Sequence, residues 1–448
     1  MKLDLELCKK HIQAGARPVY RGRIDIVSGV LVEAVGVPAA LGELCTILRG
    51  HHGPIEAEVV GFRGASTLLM PHGDLDGIAP MQEVLALGRP FAAAVGNELL
   101  GRTIDGFGRP IDGRPLHTSE QRAVRRDAPD PLSRPAIVEP LQTGVRAIDG
   151  LTTIGRGQRL GIFAGSGVGK SSLLGQITRG TDADVVVVAL VGERGREVGS
   201  FVHEVLGEEG MAKSVMTVAT SDRAPIERFL APFVAMTVAE HFRDQGLDVL
   251  FVMDSVTRFA AASREIGLAA GEPPTVRGYP PSFFATVPKL VERMGRTERG
   301  SITGLLTVLL DGDDPNEPVA DTLRGLLDGH LFLSRDLAQS GHFPAIDILQ
   351  SLSRLMPSLA DEEHQRTATQ LRRNLAAYDE GRDLVQIGAY KQGANAALDE
   401  ALLRLPAIEA FLRQAPSEQT TLAETRELLK LLAMPLGDMG ADITGAAA

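Results

Sequence analysis

The chain has 448 residues, 44% hydrophobic and 23% charged, with a formal net charge of -11. Its length supports two or three domains around a large buried core. The acidic balance, the absence of Trp and the scarcity of aromatics argue against a nucleic-acid binder, which needs a basic face and stacking platforms. The two cysteines, Cys8 and Cys45, form no Cys-x-x-Cys pair and read as ordinary thiols of a reducing compartment. The charged N-terminus lacks an apolar signal core, and no run reaches the roughly 18 apolar residues of a spanning helix. A cytoplasmic protein is expected, reaching a membrane only peripherally, through partners or the short segment carrying Leu3, Leu5 and Ile12.

From about 20 to 95, short β-like runs alternate with glycines, as in "GRIDIVSGVLVEAVG" and "IEAEVVGFRG". This texture predicts a small barrel or sandwich, with residues 1–94 as an N-terminal segment and β-barrel domain. The stretch 95–113 carries five glycines and reads as tight turns, and the proline-punctuated stretch 114–140 reads as a connector. From about 141 the pattern becomes α/β. Apolar runs at Gly161–Ala164, Val185–Val191, Val249–Met253, Ile302–Leu310 and His330–Leu333 predict strands of a largely parallel sheet with helices on both faces. Residues 95–358 form the expected central domain. Beyond 358, apolar residues recur every three or four positions, so 359–448 is expected to be helical, with a frayed tail over 437–448.

The most specific signal is "AGSGVGKSS", residues 164–172. It matches the phosphate-loop pattern except for Ala164 at the first position. Gly165, Gly167 and Gly169 let the backbone N–H groups turn toward phosphate oxygens, with Ser166 and Val168 between them. Lys170 would reach the β- and γ-phosphates of ATP, Ser171 would bind Mg²⁺, and the helix opening at Ser171 and Ser172 would aim its N-terminus at the anion. The strand "LDVLFVMDS" ends in Asp254, a second Mg²⁺ candidate. The run "VVVVAL" leads into "VGERGRE", which brings Glu193, Arg194, Arg196 and Glu197 together. Sites at strand ends share one edge of a parallel sheet, so Glu193 is expected near Lys170 and Asp254. A carboxylate there can orient the water that attacks ATP, and Arg194 could offset γ-phosphate charge. A surface network of all four charges is the competing reading.

With these motifs in place, the chain resembles the catalytic subunits of rotary ATPases. It resembles still more the type III protein-export ATPases of bacterial flagella and injectisomes. The resemblance rests on "TGVRAIDGLTTIGRGQRLGIFAGSGVGKSSLL", "GERGREV", "MDSVTRFAAASREIGLAAGEPPTVRGYPPS", "DGHLFLSRDLAQSGHFPAID" and "SLSRLMP". It spans about 95–400 and implies a RecA-like P-loop core. It further implies that Glu193 polarises water, that Arg194 and Arg258 lie around the phosphates, and that Phe343 packs on the adenine. Arg354 matches the arginine finger lent to a neighbouring subunit, and residues 269–281 match a loop facing a central stalk. Because Glu193 and Arg354 occur in one chain, a homohexamer with six equivalent sites is implied. The implied partners are a stator-type regulator at the N-terminal segment, the stalk protein, export chaperones and substrates, and the export gate.

The flagellar version is the leading reading and the injectisome version the nearest alternative. A non-catalytic ring subunit is opposed by Glu193, and a ring helicase or terminator by charge and composition. Two departures stand out. Asn395 replaces an expected acidic residue in "YKQGANAALD", and the C-terminal part lacks an acidic DELSEED-like run.

Overall fold

The Gly-punctuated runs near the N-terminus close into a barrel. In the computed structural model, which describes residues 20–434 except 119, 311, 313, 315 and 316, six antiparallel strands form it. They are β1 (Arg21–Ser28), β2 (Leu31–Val35), β3 (Glu43–Leu48), β4 (Pro54–Arg63), β5 (Ser66–Pro71) and β6 (Glu83–Pro90), in the order β1-β2-β5-β4-β3-β6, with β6 returning to β1. Alternate residues such as Ile24, Val32, Ile47 and Leu69 fill the interior. Cys45 sits among them fully buried, and burial pushes its thiol up to about 12, which makes it inert. Cys8, the N-terminal segment assigned to a stator and the tail 437–448 lie outside the described residues.

After the barrel, β7 (Ala92–Val95) pairs with β9 (Glu120–Ala123) as a small ribbon. The stretch between them, read as turns, also contains β8 (Arg102–Asp105), an edge strand parallel to a later one. Four residues framed by glycines carry too little alternation to signal a strand; their partner's backbone supplies the order. Arg102 locks the strand to the following turn through two bonds to Asp112, at 2.6 and 2.8 Å.

The central sheet follows the connector and a short ribbon of β10 (Pro140–Leu141) and β11 (Ile154–Gly155). Its further strands are β12 (Arg159–Ala164), β13 (Val185–Val191), β14 (Ser214–Ala219), β15 (Asp248–Asp254), β16 (Gly295–Arg296), β17 (Ser301–Leu309), β18 (Gly329–Leu333) and β19 (Ile346–Ser353). The order is β19-β18-β12-β17-β15-β13-β14-β8, with β16 pairing β17. Pairing is parallel along this order except at β18–β19. All five strands expected in this region are present; β8, β14, β16 and β19 are additional.

Strand β13 shows why the sheet reads as an unbroken apolar run. Val185, Val187, Ala189 and Val191 enter one core, while Val186, Val188 and Leu190 enter the other. The helices that position the site are α1 (Arg146–Leu151), α2 (Lys170–Gly180), α3 (Gly195–Ser200), α4 (Gly207–Ala212), α5 (Pro225–Asp244) and α6 (Val256–Ala270). A one-turn π-helix, Phe201–Leu206, joins α3 to α4. Arg293 ties the connector to the core. It is 1% exposed, donates to both oxygens of buried Glu240 at 2.8 Å, and donates to the Val124 carbonyl at 2.8 Å. Arg293→Met removes the bidentate partner of buried Glu240 and leaves it facing Arg126 at 3.5 Å, and chemical denaturation should show a loss of about 3 kcal/mol.

Beyond the sheet come α7 (Pro281–Val291), α8 (Pro318–Leu326), α9 (Arg335–Gln339) and α10 (Met356–Leu359). The C-terminal helices are α11 (Glu362–Gln386), α12 (Ala396–Leu412) and α13 (Leu422–Ala433). Each of these last three is capped by its preceding side chain: Asp361, Asn395 and Thr421. Asn395 is thereby explained: its amide oxygen accepts the Ala397 N–H at 3.0 Å and starts α12. Among the described residues, no helix is long and apolar enough to cross a membrane.

Candidate active site

Parallel pairing brings the carboxyl ends of β12, β13 and β15 to one edge of the sheet. The phosphate loop leaves β12 after Ala164 and returns as α2, whose first residue is Lys170. Gly167 and Gly169 hold φ of +79° and +92°, a conformation that side-chain-bearing residues rarely adopt. Val168 is buried and pins the loop to the core, while Ser166, Ser171 and Ser172 are not buried. The Ser166 carbonyl accepts a bond from Arg335 at 3.4 Å, a support not anticipated from the sequence.

Three charged groups meet at this edge. The Lys170 ammonium bonds the Asp254 carboxylate and lies 3.7 Å from Glu193. All three side chains are largely buried. Thr307 on β17 donates to Asp254 at 2.7 Å and fixes that carboxylate. Thr307, one of two threonines inside the apolar run of β17, offered no sequence signal of this contact.

Burial pushes the Glu193 carboxyl up to about 7. The Lys170 and Arg258 charges oppose the shift, and Asp254 and a bond shared with Glu197 reinforce it. Glu197, one helical turn on, is held below the ordinary value chiefly by that bond. Of the two facing carboxyls, Glu193 therefore holds a proton more readily than Glu197. The sequence had left Glu197 without a role; its contact arises because α3 begins directly after the loop.

Arg258 lies on the first turn of α6 and packs on Gly192, where an added Cβ would meet its own Cβ at 2.9 Å. Phe343 lies beside the loop: a Cβ built on Gly169 would be 3.3 Å from its ring, which is 42% exposed. Arg194 stays outside the cluster. Its side chain is 74% exposed and faces Glu197 at 3.7 Å.

Arg354 lies at the other edge. Ser353 is opposite Gly329 at the start of β18, whereas the phosphate loop follows Ala164, opposite Leu333 at its end. Four strand residues, about 13 Å, separate these levels. Arg354 is exposed there, and its N–H donates to the Asp328 carbonyl.

The donor set suits a small hard cation held together with a nucleotide. Ser171 and Asp254 offer the oxygen ligands that such a cation prefers, beside the phosphate loop. Among the described residues there is no cluster of three or more His, Cys, Asp or Glu able to bind a metal by itself.

Comparison with known proteins identifies the family. Residues 144–353 match the nucleotide-binding domain of the ATP synthase alpha/beta family, and residues 360–431 match the T3SS EscN ATPase C-terminal domain. The type 3 secretion system ATPase of Xanthomonas euvesicatoria is 50% identical over 91% of this chain and 93% of its own. The chain belongs to the type III export ATPases of the ATP synthase α/β family. The flagellum-specific ATP synthase of Pseudomonas aeruginosa is 49% identical over 96% of each chain. The assembled ATPase EscN of enteropathogenic E. coli superposes with a TM-score of 0.88 at 43% identity, covering 92% of this chain and all of that one. EscN solved with its central stalk EscO gives 0.86 at 42%, over the same shares of the two chains. As a member of this export-ATPase family, the protein is an ATP hydrolase built from a barrel, a nucleotide-binding α/β domain and C-terminal helices.

Proposed function

We propose that this protein is the Mg²⁺-dependent ATPase that energises flagellar type III export, working as a homohexamer. The observation that carries the catalytic reading is the meeting of Lys170, Glu193 and Asp254 at the mouth of one phosphate loop. In this reading, the loop N–H groups and Lys170 bind the β- and γ-phosphates. Ser171 and Asp254 would hold Mg²⁺, which would supply neutralisation of phosphate charge. Glu193 accepts a hydrogen bond from the attacking water and orients it toward the γ-phosphorus. Arg258 holds positive charge beside Glu193, Phe343 stacks on the base, and Arg194, exposed at the rim beside Glu197, turns inward to meet the phosphates when nucleotide binds. The domain division at 94 and 358 follows the same reading.

Arg354 supports the ring. It is too far from the phosphate loop of its own chain, yet stands exposed where a neighbouring subunit could receive it. The EscN–EscO complex supports a stalk in the channel, facing residues 269–281. A stator-type regulator, chaperones, substrates and the export gate complete the proposed partners, and they would bring the ring to the membrane. The injectisome reading is favoured by the Xanthomonas relative, which is as similar as the flagellar ones. Deleting the gene separates the two: loss of hook and flagellin export with motility supports the flagellar assignment, and loss of effector secretion alone overturns it.

The pH profile tests Glu193. Only the ionised carboxylate can accept the water proton, so kcat/KM should fall as pH drops through about 7, approaching tenfold per unit. A steady-state profile from pH 5.5 to 9 with saturating Mg²⁺ checks this. An unbroken plateau down to pH 5.5 would remove Glu193 from the base role.

A further inference from the structure

Phe343 sits on a loop after a five-residue helix and is partly exposed. A ring so placed stacks well on a base only if its backbone is held in register with the phosphate loop. The structure shows what holds it. The segment joining α12 to α13 crosses behind the site, and its Gln414 N–H donates to the Phe343 carbonyl at 2.9 Å. Gln414 is itself 3% exposed. Its side-chain amide donates to the Gly144 carbonyl at 2.7 Å and the Glu418 carbonyl at 3.1 Å, and accepts the Arg146 N–H at 2.9 Å.

The other end of this clamp is the phosphate-loop helix. Gly144 abuts the last residue of α2: an added Cβ would lie 2.9 Å from the Cα of Gly180. Gln176 on α2 donates to the Ala415 and Glu418 carbonyls, both at 3.2 Å, and Arg179 donates to the Pro416 carbonyl at 2.7 Å. Arg146 fastens the start of the same segment by donating to the Phe411 carbonyl at 2.8 Å and the Arg413 carbonyl at 2.5 Å. Gln414 thus joins the two: its main-chain N–H holds the loop bearing Phe343, and its buried side chain fixes that main chain to Gly144, which packs on the end of the helix that carries Lys170.

We propose that Gln414 is a positioning residue for the nucleobase, acting through Phe343 and setting base affinity without touching the phosphates. This rests on the reading of Phe343 as the base-stacking ring. The experiment uses the full chain with Gln414→Ala, Phe343→Ala and the double variant, assayed with ATP and with inorganic tripolyphosphate as competitor. Gln414→Ala keeps the main-chain bond to Phe343 but frees the segment from Gly144, Glu418 and Arg146, and the loosened register of the ring should raise KM for ATP about three- to ten-fold. The kcat should stay within about two-fold, since the lost interaction is the same in ground and transition states. Tripolyphosphate inhibition should be unchanged, and adding Gln414→Ala to Phe343→Ala should raise KM no further.

Multiplying effects in the double variant, or tripolyphosphate inhibition weakened in step with KM, would overturn the proposal. An unchanged KM in Gln414→Ala while Phe343→Ala raises it overturns the Gln414 role alone. An unchanged KM in Phe343→Ala overturns the base-stacking reading, and the Gln414 role with it. Should Gln414→Ala not fold, Gln414→Glu carries the test. It keeps the acceptor for Arg146 and loses the donors to Gly144 and Glu418, so the same KM-only shift is expected.

Discussion

Glu193→Gln is expected to bind ATP within a few-fold of the native protein and to lose turnover by about 10²–10⁴-fold, the span of a positioned general base. That loss is about 3–5 kcal/mol of transition-state stabilisation. The substitution keeps the shape of the side chain and removes the charge that can accept a water proton. Lys170 keeps its bond to Asp254, so the phosphate-binding loop should be undisturbed. Nucleotide binding by equilibrium titration and phosphate release under saturating ATP check the two halves separately. Near-native turnover would take Glu193 out of the reaction. Loss of binding together with turnover would make it a structural support of the loop.

Arg354→Ala is expected to leave ATP binding intact and lower kcat by about 10³–10⁵, as for an arginine finger supplied in trans. Within one chain the residue sits at the edge of the sheet opposite the phosphate loop, so an effect on catalysis requires a second copy. Mixing Arg354→Ala with Lys170→Ala protein tests this directly. Lys170→Ala binds no nucleotide productively but still presents Arg354. Mixed rings then contain interfaces where an intact phosphate loop meets an intact Arg354, and hydrolysis should partly return. Activity that rises with protein concentration and is restored in the mixture supports the ring. A mixture as inactive as its two components counts against a finger in trans.

Much of the site was legible because its residues lie next to strong local signals. The phosphate loop announces itself through glycines at fixed spacing followed by Lys170 and Ser171. Asp254 and Glu193 follow apolar runs whose ends share one edge in any parallel sheet. What escaped were contacts between residues far apart in the chain. Thr307 reads as one more β-former in a buried strand, yet it holds Asp254. Strand β8 is too short and too rich in flanking glycine to show alternation, and its order comes from β14. Glu197 was separable from a solvated charge only after the turn of α3 set it against Glu193. Arg194, adjacent in sequence to Glu193, points to the outside.

The sequence alone therefore determined the chemistry on offer: a phosphate loop, a candidate metal-binding carboxylate and a candidate base, each tied to the end of a strand. Local composition suffices for that, because glycine conformation, helix polarity and strand periodicity act over a few residues. Only the tertiary structure decided which carboxyls face each other, which arginine packs beside the loop and which stands at the far edge of the sheet. Those outcomes depend on burial and on through-space distances of a few ångströms. No spacing along the chain encodes such distances when the partners are 53 residues apart, as Thr307 and Asp254 are, or 268, as Arg146 and Gln414 are.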